Sequence, residues 1–235
     1  MNLENILFLD IETVAGTRSY HDLPERMRLL WDKKARLISK DEQPDPSEEY
    51  ERAGIYAEFG KVVAIGLGFF HYEGSQLQLR VKGLYSHNEQ ELLSEFKSVV
   101  EKGFNPKTLR LCAHNGKEFD FPYLSRRMII NGIPLPDCLQ LAGKKPWEVL
   151  HIDTMDYWKF GDRKSFTALD LMAAVLDVPT SKDDIDGSQV NRVYYEDNDL
   201  ERIDHYCKKD VAVMAQVYLK LIQAEPLDSS QITIL

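Results

Sequence analysis

The feature that most constrains this chain is the order of its patterned segments. An apolar run, Ile6–Leu9, leads into Asp10-Ile11-Glu12 and reads as a buried central strand. Two β-rich stretches follow, 62–70 (VVAIGLGFF) and 77–85 (LQLRVKGLY). The turn-forming Glu73-Gly74-Ser75 parts them, so they read as a hairpin. Helical periodicity covers 89–103, with Gly103 as a C-terminal cap, and a short apolar strand covers 108–113. A helix over 119–131 closes at Asn131-Gly132. A weak strand at 151–155, an apolar helix over 165–178 and a long amphipathic helix over 199–223 complete the order.

A hairpin-led sheet followed by strand–helix alternation gives a mixed α/β sheet, antiparallel hairpin plus parallel strands, with helices on both faces. The ribonuclease H-like fold requires that order. A length of 235 residues suits one sizeable core. The expected organisation is one domain over 1–224 and a C-terminal tail over 225–235. Residues 17–59 do not fit the core. They are rich in charge, contain Gln43-Pro44-Asp45-Pro46, and carry partial helical patterns at Leu23–Ile38 and Ser47–Phe59. They read as a helical insertion packed beside the sheet.

Hydrophobic residues make up 43% and charged residues 29%, a globular composition. No apolar run approaches the roughly 18 residues of a membrane-spanning helix. The N-terminus lacks the basic lead and apolar stretch of a secretory signal, so a cytoplasmic location is expected. Cys112, Cys138 and Cys207 show no CxxC spacing, which argues against a disulfide framework or zinc ribbon and for buried thiols. The net charge of −9 counts against a protein that coats nucleic acid. It leaves room for a nuclease whose site is made electropositive by bound cations.

Residues at i and i+2 of a strand share a face, so Asp10 and Glu12 project together. Buried unpaired, they would be costly; a hard divalent cation relieves that cost, as would a strand end opening into solvent. Asp120 falls where the strand 108–113 gives way to a helix. A metal ligand and an acid favoured by the helix dipole both suit that place. Asn115 suits a turn as well as a contact, and Lys117 suits a solvated loop. In the helix 199–223, Ile203, Cys207, Met214, Val217 and Leu221 form one apolar stripe, and Tyr206 and Asp210 fall inside it. Asp210 therefore needs a partner: a cation, an Arg, or Tyr206 at i,i+4. Four acids converging at one end of a ribonuclease H-like sheet, with no basic residue in a matching position, call for cations. Two such ions would activate a water and stabilise the leaving oxygen of a phosphodiester.

LFLDIET, AHNGKEFDFPYL and HYCKKDV resemble the three exonuclease motifs of the DEDD superfamily. The likeness is nearest to the tyrosine subgroup found in proofreading domains of family B DNA polymerases and their stand-alone relatives. KPWEVLHIDTMDYWKFGDRKSFTALDLMA (145–173) resembles those relatives too. The resemblance implies that Asp10, Glu12, Asp120 and Asp210 ligate two divalent cations, Mg2+ or Mn2+. It implies that Tyr206 orients the water, and that Thr13, His114, Asn115 and Phe119 contact the 3′ terminus. The implied activity is 3′–5′ exonucleolytic hydrolysis of single-stranded DNA, releasing nucleoside 5′-monophosphates. RNA as substrate and a noncatalytic binding module are the alternatives, with a calcium-stabilised structural domain a weaker fourth reading.

The third motif also satisfies the histidine subgroup, with His205 five residues before Asp210. On a helix, Tyr206 lies about 40° from Asp210 and His205 about 140° away, so Tyr206 is expected in the site and His205 in solvent. Asp153 and Asp156 are further acids near the fifth strand, expected to cap or to face water, with support of the metal ligands as the alternative. Trp158 and Phe160 are expected in the core, with base stacking as the alternative. Lys159, Arg163 and Lys164 read as a solvated loop, or else as phosphate contacts. The acidic loop Ser181–Ser188 is too short for a calcium hand.

Overall fold

The computed structural model describes residues 2–41, 43–162, 164–180 and 185–235. Six strands form one sheet: β1 (Ile6–Ala15), β2 (Gly60–Glu73), β3 (Gln76–Tyr85), β4 (Arg110–Ala113), β5 (Ile152–Asp153) and β6 (Ile232–Ile234). Their order is β5-β4-β1-β2-β3-β6. β1–β2 and β2–β3 are antiparallel, while β1–β4, β4–β5 and β3–β6 are parallel. This is the mixed sheet the segment order demands. The hairpin turns through Gly74, whose φ of +62° suits glycine. The last residues, read as a tail, instead add β6 to the sheet edge.

The helices are α1 (Glu25–Ile38), α2 (Glu89–Gly103), α3 (Asp120–Ile130), α4 (Thr154–Lys159), α5 (Leu169–Val175), α6 (Val190–Arg192) and α7 (Leu200–Leu221). One sheet face carries α2 and α3. The other carries α7, whose approach rests on missing side chains. A Cβ on Gly66 would come within 2.7 Å of Val211 Cγ2, and one on Gly68 within 2.7 Å of Val211 Cγ1. Glycines inside a strand mark such close approaches. No helix among the described residues is long and apolar enough to cross a membrane.

The segment 17–59 contains α1 and a 3-10 stretch, Glu49–Ile55, within the two helical patterns expected there. Trp31 anchors it: the ring is fully buried, packs edge-on against Tyr50 and Phe59, and its Nε1 donates to Pro46 O at 2.7 Å. Tyr123 and Arg127 of α3 donate to the carbonyls of Gly54 and Ala57 at 2.7 and 2.8 Å, fastening insertion to core.

Two expected elements are shorter than their patterns. The helix expected over 165–178 begins only at Leu169, because the Thr167 carbonyl is turned to the His114 ring at 2.8 Å instead of to the helix. The strand expected over 151–155 keeps only Ile152–Asp153, because Asp153 caps α4 through the N–H groups of Met155 and Asp156.

Candidate active site

The site lies where β1 outruns its neighbour. Pairing of β1 with β4 ends at Phe8↔Cys112, whereas pairing with β2 continues to Ala15↔Gly60. Asp10 and Glu12 are therefore inside a ten-residue strand, opposite Gly66 and Ala64, and not at a strand end as expected. The apolar run stops at Leu9 because the next alternate side chains enter the site, while the backbone stays in the ladder. Beside the freed edge of β1, the Asp120 carboxylate takes a hydrogen bond from the Ile11 N–H.

Asp10 and Glu12 point toward α7. One carboxylate oxygen of each, and Cys207 Sγ, lie within 4.8 Å of one another. Glu12 is 8% exposed and Asp120 3%, while Asp10 and Asp210 are half-buried. Burial pushes Asp10 well above the usual carboxylate range, and the charges of Asp120 and Asp210 push further. Burial likewise raises Glu12, followed by Asp10, Asp210 and Asp120. Asp120 is raised by burial to about 7, although the N–H groups of Asp120 and Ile11 oppose the shift. Like charges gathered out of water protonate or acquire counter-charge. No Lys or Arg bonds to Asp10, Glu12 or Asp120 among the described residues, so the donor set fits hard divalent cations.

Tyr206 and Asp210 share a face of α7, and their side chains hydrogen-bond. Burial, then the charges of Asp210, Glu12 and Asp10, holds the Tyr206 hydroxyl protonated far above its ordinary range. It can donate to a water or an oxyanion, but it cannot serve as a free base. His205 is exposed, within the same helix, as the angular argument requires.

The expected terminus-binding residues divide into two groups. His114 makes an internal brace. Thr167 O can only accept, so Nε2 carries the ring proton, and Nδ1 lies 2.8 Å from Thr154 Oγ1. Burial lowers its pKa and keeps it neutral. Thr13, beyond a register irregularity after Glu12, bonds the Tyr123 hydroxyl. Asn115, in the left-handed region at φ 62°, makes no side-chain hydrogen bond to another described residue. Phe119 is half-buried against Tyr123.

Asp153 does more than cap. It is 3% exposed and also accepts from the Asn115 and Lys117 N–H groups at 3.0 and 3.1 Å, setting the loop before Asp120. Its place at the end of β5, next to β4, was the available signal. Asp156 pairs with Lys117 at 3.2 Å, so that lysine is not simply solvated. Trp158 packs in a minor core with Met172 and Val217, as expected. Phe160 does not: it is 89% exposed, in a left-handed turn before Gly161. Lys159 lies over the Phe166 ring at 4.6 Å, and Lys164 is exposed. Arg163 and residues 181–184 of the acidic loop lie outside the described residues.

Sheet order and site together define a ribonuclease H-like domain with an acidic cluster on its central strand. Residues 55–231 match the model of a family described as "Predicted 3'-5' exonuclease related to the exonuclease domain of PolB". That span is well over half of the chain, which therefore belongs to this family. It includes Asp120, Tyr206 and Asp210 but begins after Asp10 and Glu12, which enter the site by geometry. No curated protein sequence matches the chain. Among solved structures, the family B DNA polymerase of the hyperthermophilic archaeon Pyrobaculum calidifontis is similar over 92% of this chain, with a TM-score of 0.55 and 15% identity. At that identity the likeness establishes the fold alone. The chain spans only 24% of the polymerase.

Proposed function

We propose that this protein is a metal-dependent 3′–5′ exonuclease acting on single-stranded DNA in the cytoplasm and releasing nucleoside 5′-monophosphates. The observation that carries this reading is the burial of Asp10, Glu12 and Asp120 beside Asp210, with no Lys or Arg bonded to the first three among the described residues. These four would hold two divalent cations, Mg2+ or Mn2+. Such ions supply electrostatic stabilisation of the charge that develops on the phosphodiester and its leaving oxygen.

The chain's own residues supply position. Tyr206, whose hydroxyl donates to Asp210 here, would turn that donor to the attacking water once Asp210 holds a cation, and so orient the water. Asn115 offers its carboxamide to the terminal nucleotide, and Phe119 borders it. His114 and Thr13, whose polar atoms have protein partners, support this wall from behind and touch substrate little. Asp153 sets the height of the Asn115 loop.

The test uses matched DNA and RNA strands labelled at the 5′ end, with Mg2+ or Mn2+. Single-nucleotide shortening of DNA from the 3′ end, abolished by chelator, is expected. A 3′-phosphate should slow it. Faster shortening of RNA would move the substrate to RNA, and release of the 5′ label as first product would overturn the polarity.

A further inference from the structure

Cys207 belongs to no part of the mechanism above, yet its side chain reaches Asp10 from α7. Its thiol donates to Asp10 Oδ2 at 3.3 Å and lies 3.5 Å from Asp10 O. The Gly66 N–H donates to Sγ at 3.1 Å. A Cβ on Gly66 would lie 3.1 Å from the same sulfur, so the strand and the thiol are fitted to each other. Amide N–H donors of this kind stabilise charge on sulfur. The second observation is Glu12: it is nine-tenths buried, makes no hydrogen bond or ion pair to another described residue, and its carboxylate faces this sulfur and Asp10. Among the described residues, this is the one place where a thiol and carboxylates converge at ligand distances.

We infer that Asp10, Glu12 and Cys207 form a site for a thiophilic divalent cation, of the Zn2+ or Cd2+ class, that competes with the cations of catalysis. Oxygen donors alone favour Mg2+ and Mn2+. One sulfur donor shifts preference toward zinc-like ions, which accept three protein ligands in a tetrahedral arrangement. On binding, the S–H bond breaks and a metal–sulfur bond forms. The proton that Cys207 shares with Asp10 leaves to solvent, and no electron is transferred. Asp10 and Glu12 are then engaged by the wrong ion. The inhibitory consequence rests on the exonuclease reading; the binding does not.

Co2+ or Cd2+ titrated into the metal-free protein should therefore give a sulfur-to-metal charge-transfer absorption, saturating at one ion per chain. Cys207→Ser should abolish it and weaken binding by at least about 10–100-fold, the scale on which even outer partners of a metal act. The double variant Cys112→Ala, Cys138→Ala, which leaves Cys207 as the sole thiol, should keep the band and serves if Cys207→Ser does not fold. In nuclease assays at fixed Mg2+, trace Zn2+ should inhibit the wild type more strongly than Cys207→Ser, each relative to its own rate without Zn2+. Absence of the band in the wild type, or its persistence in Cys207→Ser, would overturn the site. A band without any hydrolysis of nucleic acid would instead strike the exonuclease reading and leave the site standing.

Discussion

Glu12 and Glu89 are equally buried, at 8% exposure each, and their surroundings are opposite. Glu89 opens α2, and all its acceptor capacity is used. Oε1 takes the Val62 N–H and Arg127 Nε, both at 2.8 Å, and Oε2 takes Arg127 Nη2 at 2.5 Å and Asn131 Nδ2 at 2.9 Å. The pair ties α2, α3 and β2 together. Among the described residues Glu12 has no such partner, and the charges of Asp10, Asp210 and Asp120 that act on it are all of its own sign. A buried carboxylate costs several kcal/mol unless paired. Burial by itself therefore does not distinguish a working acid from a structural one. Burial without compensation among the described residues does, because it leaves a place for a counter-charge from outside the chain.

The sharpest break of that comparison is to remove an acid from each region. Asp10→Ala or Asp210→Ala is expected to lower the exonuclease rate by more than about 1000-fold, the scale of lost catalytic groups, while circular dichroism shows a folded chain. Full activity in either variant would sink the four-acid assignment. Glu89→Ala should do the converse. Leaving Arg127 buried and unpaired costs about 3–5 kcal/mol, read as a fall in the denaturation midpoint, with the rate per folded molecule near wild type. A stable Glu89→Ala protein that had lost activity would reverse the roles.

This contrast also shows what the sequence discloses and what it hides. The acids of the candidate site stand out in the sequence because they interrupt apolar patterns: Asp10 and Glu12 continue a strand, and Asp210 falls in the stripe of α7. Glu89 does not, since an acid at a helix start is ordinary, and its partners Arg127 and Asn131 lie some forty residues away in sequence. Cys207 was legible as core but not as a neighbour of Asp10, because that contact depends on how closely α7 rides on β2. Gly66 and Gly68, alternate glycines in an otherwise apolar strand, were the unread sign of it. Local patterns specify elements; distances between elements come from packing. That is also why the shortened α5 and the exposed Phe160 escaped. α5 starts late because Thr167 is held to His114, and Phe160 sits in a left-handed turn before Gly161; no periodicity records either.

Within α7 the comparison narrows to adjacent residues. Tyr206→Phe removes only the hydroxyl and should slow hydrolysis by about 10–1000-fold, as single-donor losses do, with little change in stability. His205→Ala, altering an exposed side chain one residue away, should stay near wild type with no new limb in the pH–rate profile. The reverse result would place the protein in the histidine subgroup and contradict the helix that begins at Leu200.

The smallest expected effect lies in the metal-free protein's response to pH, and its sign follows from the site's missing counter-charge. Asp10, Glu12 and Asp120 all have raised pKa values when folded, Asp120 to about 7. In the unfolded chain such groups titrate near 4. Between these limits the folded state binds more protons than the unfolded, so stability falls as pH rises. The contribution is fully present below about pH 4 and is lost as pH passes through the raised folded values, near 7 for Asp120. With chelator present, the melting temperature should drop by a few degrees from about pH 5 to about pH 8. Saturating Mg2+ or Mn2+ should recover the loss at the upper end, since an ion that binds only the folded state stabilises it. Asp10→Asn should flatten the decline by removing one of the repelling charges, whereas Glu89→Gln, in the region already compensated, should shift the whole curve down without changing its slope. A metal-free melting temperature that climbs over this range would mean that the acids of the site are paired after all.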